Sequence, residues 1–111
     1  MNVNFNGYGE NVATFIADGS LTQTGVPVKI SADGTVKACA TGENFCGICV
    51  GVRDGYAAVQ LAGYAKVSTT AKLALGYTKL AAGANGIVAT STSGREHLVI
   101  DSTDTEAGII L

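Results

Sequence analysis

The sequence predicts an all-β fold, a small antiparallel barrel or sandwich of about eight short strands with at most one short helix. Two Asp-Gly pairs, Asp33-Gly34 and Asp54-Gly55, stand between apolar runs that alternate with polar residues. Such pairs are typical of tight hairpin turns, because Asp tolerates the positive φ that these turns need and Gly adopts it freely. Hydrophobic residues make up 47% and charged residues 14% of the chain, which indicates a folded protein. We expect residues 26–67 to form an antiparallel meander.

Strand candidates follow one another along the chain with turn residues between them. Residues 12–17 end at Asp18-Gly19, and the alternation of Val26, Val28 and Ile30 predicts the next strand. Pro27 has no N–H for a ladder hydrogen bond, so this strand starts there or lies at a sheet edge. The remaining strand predictions cover residues 35–40, 46–53, 56–67, 76–80, 87–90, 96–100 and 107–111.

Some local features qualify this pattern. Gly63 interrupts the apolar face of residues 56–67, which predicts a bulge or a bend in a long strand. Residues 69–75 allow one short helical turn, and Ala84-Asn85-Gly86 predicts a hairpin turn. We expect the opposite face of the long strand to be wet or interfacial, with Tyr56, Gln60, Tyr64 and Lys66 on it.

We divide the chain into a flexible N-terminal arm, residues 1–11, and a single β domain, residues 12–111. The arm is rich in Asn, with Val3, Phe5 and Tyr8 as isolated apolar residues. It is either a frayed terminus or a segment that orders on a neighbouring subunit by strand addition. The residues alone leave both interpretations open.

Charge and composition exclude several classes of function. The net charge is −2 and Lys and Arg do not cluster, so nucleic-acid binding is disfavoured. No apolar run has the length of a membrane span, and no signal peptide is evident, so we expect a soluble protein of the cytosol. Many apolar residues are Ala, so the core is built from small side chains. A homo-oligomer would bury additional surface.

Cysteine and histidine are the residues that could carry chemistry. Cys46 and Cys49 have redox-motif spacing but lie in a strand pattern, where residues three apart point to opposite faces. We therefore expect buried cysteines that act as small apolar residues, with no metal site and no cofactor. His97, the sole histidine, is expected at the surface of a strand. No nucleophile motif or phosphate loop is present, and we predict no catalytic residue and no enzyme.

Small residues at alternate positions flatten one face of the predicted strand 46–53. Gly47, Cys49 and Gly51 form this face, opposite Cys46, Ile48, Val50 and Val52. Glycines in a strand allow another backbone to approach closely, and that backbone belongs to a loop, another sheet or another subunit. We predict a subunit contact face at Gly47, Cys49 and Gly51.

The order of these segments resembles small phage and prophage capsid-decoration proteins, the head-stabilising class. A polar arm leads to Gly25-Val26-Pro27-Val28-Lys29-Ile30, then to Asp33-Gly34-Thr35-Val36-Lys37-Ala38-Cys39 and Gly47-Ile48-Cys49-Val50-Gly51-Val52. The long strand of residues 57–67, Gly76-Tyr77-Thr78-Lys79-Leu80 and an apolar C-terminus follow. The likeness covers the chain from Thr14 onward.

This resemblance implies a β-rich virion protein, made in the bacterial host cytoplasm, that sits on the outer capsid surface as a homotrimer. It implies the major capsid protein as partner, with no nucleic acid or membrane bound, and it brings no catalytic residues. The arm would be the capsid-binding segment, with Asn2, Val3, Asn4, Phe5, Asn6 and Tyr8 as its contacts. Two alternatives remain: another virion β-module, such as a tail tube, connector or fibre base, and a small ligand- or metal-binding β-barrel.

Overall fold

A computed structural model describes residues 11–111, except for the side chain of Asn85. The predicted arm residues Asn2, Val3, Asn4, Phe5, Asn6 and Tyr8 lie outside the described residues, whereas Asn11 begins the first strand. The described chain is all-β, as predicted. Its ten strands are β1 (Asn11–Ala17), β2 (Pro27–Ala32), β3 (Thr35–Ala38), β4 (Gly47–Arg53), β5 (Tyr56–Ala62), β6 (Tyr64–Ser68), β7 (Gly76–Ala82), β8 (Val88–Thr90), β9 (Arg95–Ser102) and β10 (Glu106–Ile110).

The first five strands close into a small barrel in the order β1-β3-β2-β4-β5, with β5 paired to β1. The expected meander is wrong, because β2 lies between β3 and β4 and pairs with both. The barrel is also not wholly antiparallel, since β1 and β3 run parallel at Ile16↔Thr35 and Ala17↔Val36. Closure through β1 is a long-range pairing, which local turn signals do not specify.

The last five strands form a second sheet in the order β6-β10-β9-β7-β8. All of its neighbouring strands are antiparallel. The structure therefore differs from the predicted single barrel or sandwich of about eight strands: its ten strands form a closed barrel and a second sheet packed against it.

Gly63 divides the predicted long strand between these two sheets. Its φ of 90° is a conformation that side-chain-bearing residues rarely adopt. The chain leaves the barrel at the end of β5 and enters the second sheet at β6, and Leu111 N–H donates to the Gly63 carbonyl at 3.0 Å. The bend at Gly63 is confirmed, but it separates two strands rather than bending one.

Two apolar clusters hold the molecule together. The barrel core lies inside the barrel and consists of Leu21, Val26, Val28, Val36, Cys49, Ala57 and Val59. The inter-sheet core combines Phe45 and Ile48 from the barrel side and Leu73 from the β6–β7 connection with the inner face of the second sheet: Ala65, Val67, Leu80, Val88, Val99, Ala107 and Ile109. The barrel therefore packs one flank against the second sheet and leaves the strands β1 and β5 away from this core.

The loop between β3 and β4, residues 39–46, attaches the barrel to the second sheet. Gly42 N–H donates to the Ala82 carbonyl at 2.8 Å, and Ala82 N–H donates to the Glu43 carbonyl at 2.9 Å. The Asn44 side chain accepts from Arg95 N–H at 3.1 Å. Phe45 stacks on His97, with 5.0 Å between ring centroids and 10° between ring planes. We call this group of contacts the loop seam.

Short connections differ in how well local sequence predicts them. Among the described residues, the only helix is a 3-10 helix at Ala84–Gly86, in the connection between β7 and β8 where a hairpin turn was predicted. Residues 69–75, which the sequence allowed to form one short helical turn, are irregular instead. Within residues 11–111, no helix has the length and apolarity to cross a membrane.

The Asp54-Gly55 turn has the predicted geometry, with φ of 52° at Asp54 and 81° at Gly55. We expect Gly55→Ala to lower the free energy of unfolding by about 1–2 kcal/mol, because a Cβ is disfavoured in the left-handed region. Gly19→Ala is the control, since Gly19 lacks positive φ and a Cβ there would meet nothing within 4 Å. Urea unfolding of both variants measures the difference, and equal losses would contradict the turn geometry.

Candidate functional site

The outer wall of the barrel, formed by β1, β5 and β4, displays several exposed apolar side chains. Ile16 lies directly opposite Tyr56, and the two side chains are 51% and 57% exposed. Directly opposite residues of antiparallel strands point to the same face, so these side chains are neighbours. Val12, which precedes Ile16 by two pleat repeats on β1, is 50% exposed on the same face. We call this surface, with its members Val12, Thr14, Ile16, Gly51, Arg53, Tyr56 and Ala58, the barrel wall.

Small side chains form a depression across the barrel wall. Thr14 lies opposite Ala58 on β5, and Ala58 lies opposite Gly51 on β4. The row beside them contains the larger Tyr56 and Arg53. The resulting depression has a volume of about 410 Å³ and is lined by Thr14, Gly51, Val52, Arg53, Tyr56, Ala57 and Ala58. It is shallow and mainly apolar, a shape that suits a protein surface better than an enclosed small molecule.

The strand β1 also offers an incompletely paired edge beside this wall. Ile16 N–H donates to the Gly34 carbonyl on the β3 side, whereas Ala17 N–H donates to the Gly55 carbonyl on the β5 side. By this alternation, the backbone groups of Val12 and Thr14 face the β3 side. The pairing with β3 begins only at Ile16, so no strand within residues 11–111 covers this part of the edge. An uncovered edge can accept an extended strand.

The predicted contact residues Gly47, Cys49 and Gly51 do not share one outward face. Cys49 is fully buried in the barrel core. A register shift in the β4–β5 pairing between Cys49 and Gly51 leaves Val50 as an extra residue, which changes the alternation of inward and outward side chains. Only Gly51 reaches the barrel wall, and a subunit contact through it stays a prediction.

Gly47 is closely approached by another backbone, as its residue type indicates. A Cβ at Gly47 would overlap the Gln60 carbonyl oxygen and lie 2.8 Å from Val59 Cγ1. The approaching group is the neighbouring strand β5 of the same sheet, so the expected loop, second sheet or second subunit is wrong at this position.

Thiol chemistry is disfavoured by the surroundings of the three cysteines, all of which are free. Burial, with the nearby Glu43 carboxylate, raises the pKa of the Cys39 thiol to about 11. Burial also raises the pKa values of the Cys46 and Cys49 thiols. The thiols stay protonated at neutral pH, and protonated thiols are poor nucleophiles and poor metal ligands. Cys46 also contacts the barrel core, so the expected divergence of Cys46 and Cys49 to opposite sheet faces is wrong.

Metal ligation has no evident centre in the described part of the chain. Within residues 11–111, no three side chains of His, Cys, Asp or Glu come together in a metal-binding group. His97 was expected at the surface, but its side chain is only 5% exposed beneath the loop seam. The expectation failed because the β3–β4 loop folds over β9, a contact between residues more than 50 positions apart.

The residues predicted to share a wet or interfacial face of the long strand are divided between exposed and buried positions. Tyr56 is exposed on the barrel wall as predicted, whereas Gln60 and Tyr64 are buried. Gln60 Nε2 donates to the Tyr64 carbonyl at 2.7 Å and to the Ala62 carbonyl at 3.1 Å, which satisfies the buried amide at the bend. Lys66 is exposed and pairs with Glu106 at 3.5 Å.

Sequence reasoning missed Val12 and Ile16 as surface residues. Both faces of β1 are apolar: Val12, Thr14 and Ile16 point out, whereas Phe15 and Ala17 pack against the barrel core. The available signal was an apolar strand without a polar face, which indicates a partner on each side. Neither face could be assigned to the interior from the sequence alone.

No protein-family model matches this sequence, and no curated protein shows significant similarity to it. A comparison of folds does find similarity to a solved structure. The chain is similar to the crystal structure of the head fiber gp8.5 N base in bacteriophage phi29, with a TM-score of 0.61 and 12% sequence identity. The likeness covers 92% of this chain and 93% of that one. At this identity the comparison shows a common fold.

Proposed function

We propose that this chain is a non-enzymatic virion structural protein of a phage, which binds the outer capsid surface and stabilises the shell. The observation that carries the proposal is the fold shared with the head fiber base over nearly the whole of both chains. The fold likeness agrees in kind with the resemblance of the sequence to capsid-decoration proteins.

The barrel wall supports this role on physical grounds. It presents Ile16, Tyr56 and Val12 at about half exposure on β-strands, which hold side chains more rigidly than loops do. The Arg53–Asp54 pair at its rim is almost fully exposed and adds little binding energy. A wall with an apolar centre and a charged rim has the usual organisation of a protein–protein interface.

The shell contact that we propose combines the barrel wall with the N-terminal arm. The arm residues Asn2, Val3, Asn4, Phe5, Asn6 and Tyr8 precede β1 in the sequence, and β1 is the strand that carries Val12 and Ile16. The proposed partners are the major capsid protein and further copies of this chain in a homotrimer. The proposed location is the capsid surface, after synthesis in the host cytoplasm.

A fibre base is the second candidate, and the head fiber neighbour favours it specifically. In that case the chain would bind the shell and also carry a further protein on its distal side. The two candidates share the shell contact and differ in whether a second virion protein depends on this chain for attachment. Mass spectrometry of virions made with and without the protein separates them, because loss of another protein indicates a base.

Co-sedimentation with empty shells of the phage that encodes the chain tests the common part of the proposal. We expect saturable binding to expanded shells and weaker binding to compact precursor shells. Absence of binding to both shell forms would overturn the proposal.

Tyr56→Asp is expected to weaken shell binding at least tenfold, because it replaces a large exposed aromatic side chain of the barrel wall with a carboxylate. Tyr77→Asp is the matched control, since Tyr77 is 75% exposed but lies on β7 of the second sheet. Both substitutions remove an exposed tyrosine and should leave the thermal unfolding temperature nearly unchanged. Equal binding by both variants would exclude the barrel wall as the contact surface. Whether the chain binds shells at all is decided separately, by the measurement on the wild-type protein.

A further inference from the structure

His97 is a buried titratable group at the junction of the barrel and the second sheet. Its side chain is 5% exposed and lies parallel to the Phe45 ring of the β3–β4 loop. The Ile110 backbone accepts a hydrogen bond from the imidazole, whereas Nε2 is buried and has no hydrogen-bond partner among the described residues. This arrangement suits a neutral imidazole, with its proton on Nδ1 and an unprotonated Nε2 in an apolar environment.

A proton added at Nε2 would have no acceptor. It would also create a charge beneath an apolar ring, where burial disfavours ions. Burial and the positive charge of Arg95 both lower the pKa of His97, and they outweigh the hydrogen bond to Ile110, which raises it. The folded state with a closed loop therefore favours the neutral ring over the charged one.

The other ionisable groups around the ring do not compensate for this charge. In the β3–β4 loop, Glu43 forms an ion pair with Lys29, which holds the pKa of its carboxyl below the usual range. The loop thiols of Cys39 and Cys46 have raised pKa values and stay neutral. On β7, the residue opposite His97 is Thr78, which is not ionisable. The charged residues Lys79 and Glu96 lie opposite each other, on the face of the sheet that points away from His97. On β10, the Ile110 backbone is the group that meets the ring.

We propose that His97 makes the loop seam acid-sensitive, so that protonation of its imidazole releases residues 39–46 from the second sheet. The contacts that would open are those of Gly42 and Glu43 with Ala82, of Asn44 with Arg95, and of Phe45 with His97 itself. The remaining inter-sheet core, with Ile48 on the barrel side, contains no ionisable side chain and stays packed. Acid therefore loosens the barrel from the second sheet at one place before it unfolds either sheet. This inference is independent of the proposed function.

The direction of the pH effect follows from the linkage between proton binding and seam opening. The imidazole takes up its proton more readily in the open state, where its pKa is close to the ordinary value of about 6.5. Above that pH both states are neutral and the seam has its full stability. As the pH falls from about 6.5 towards the lowered pKa of the closed state, the opening equilibrium constant rises by up to about tenfold per pH unit. The rise stops once the closed state is protonated as well.

Amide hydrogen exchange of the full chain between pH 7.5 and 5, corrected for the intrinsic exchange rate, measures this opening. The reporters are the amides of Gly42, Ala82 and Arg95, all of which donate across the seam. The controls are Cys49 N–H, which donates to Val26 inside the barrel, and Thr69 N–H, which donates to Thr105 in the second-sheet half. We expect the opening constants of the reporters to increase below pH 6.5 while those of the controls stay constant.

His97→Phe removes the titratable group and keeps an aromatic ring for Phe45 to stack on. We expect its reporter amides to lose the pH dependence, and His97→Gln, a polar and non-titrating side chain, to lose it too. A pH-independent opening in the wild type would overturn the proposal, and so would an unchanged dependence in both variants. An equal increase at the control amides would also overturn it, because the opening would then be global.

Discussion

Gly47→Ala is expected to lower the free energy of unfolding by about 3 kcal/mol or more, the upper end of the cost of overpacking a core. The new methyl group would overlap the Gln60 carbonyl oxygen and press on Val59 Cγ1, and neither neighbour can move freely. The carbonyl belongs to the backbone of β5, and Val59 is fully buried in the barrel core. The strands β4 and β5 would have to separate beside the paired residues Ile48 and Gln60.

Gly51→Ala provides a matched control in the same strand. A Cβ at Gly51 would lie 3.9 Å from Ala58 Cβ, an ordinary van der Waals contact. Because glycine weakens a strand interior by roughly 0.5–1 kcal/mol, alanine at this position should be neutral or slightly stabilising. Guanidinium unfolding of both variants measures the contrast. A small loss at Gly47 would show that β4 and β5 do not approach as closely as described.

Leu80→Ala is expected to cost about 2–5 kcal/mol, because it leaves a cavity in the inter-sheet core. Leu80 is fully buried on β7, among side chains from both the second sheet and the barrel side. A loss of this size is a large fraction of the stability of a domain of this length. It corresponds to a fall in unfolding temperature of roughly 10 °C or more.

Leu75→Ala removes the same atoms from a side chain that is 64% exposed. We expect its unfolding temperature to stay within about 2–4 °C of the wild type, as surface substitutions usually do. Differential scanning calorimetry compares the two variants directly. Similar temperatures for both would mean that the second sheet does not pack on the barrel through Leu80.

Local signals in the sequence were sufficient for most of the strands and turns. The Asp54-Gly55 pair predicts its hairpin correctly, because the backbone preferences of those two residues determine the turn without help from the rest of the fold. Gly63 is likewise identified as a bend by its residue type. The sequence could not show that the bend leads from one sheet into another, because β6 finds its partner in β10, about 40 residues further along.

The candidate site was predicted less completely than the fold. Tyr56 was placed correctly on an exposed face, whereas Val12 and Ile16 were not, because both faces of β1 are apolar. Cys49 was assigned to an outward face by simple alternation, and the bulge at Val50 made that assignment wrong. A bulge depends on how two strands fit together, so a period-two pattern in one strand does not reveal it.

The sequence by itself determined the all-β class, the positions of the tight turns and the close backbone approach at Gly47. These follow from backbone preferences and from alternation, which act over a few neighbouring residues. Only the tertiary structure decided the closure of the barrel through β1, the transfer of the chain at Gly63 and the burial of His97 beneath the β3–β4 loop. Each of these depends on pairing or packing between distant segments, whose free energy is set by the whole arrangement of strands rather than by any one of them.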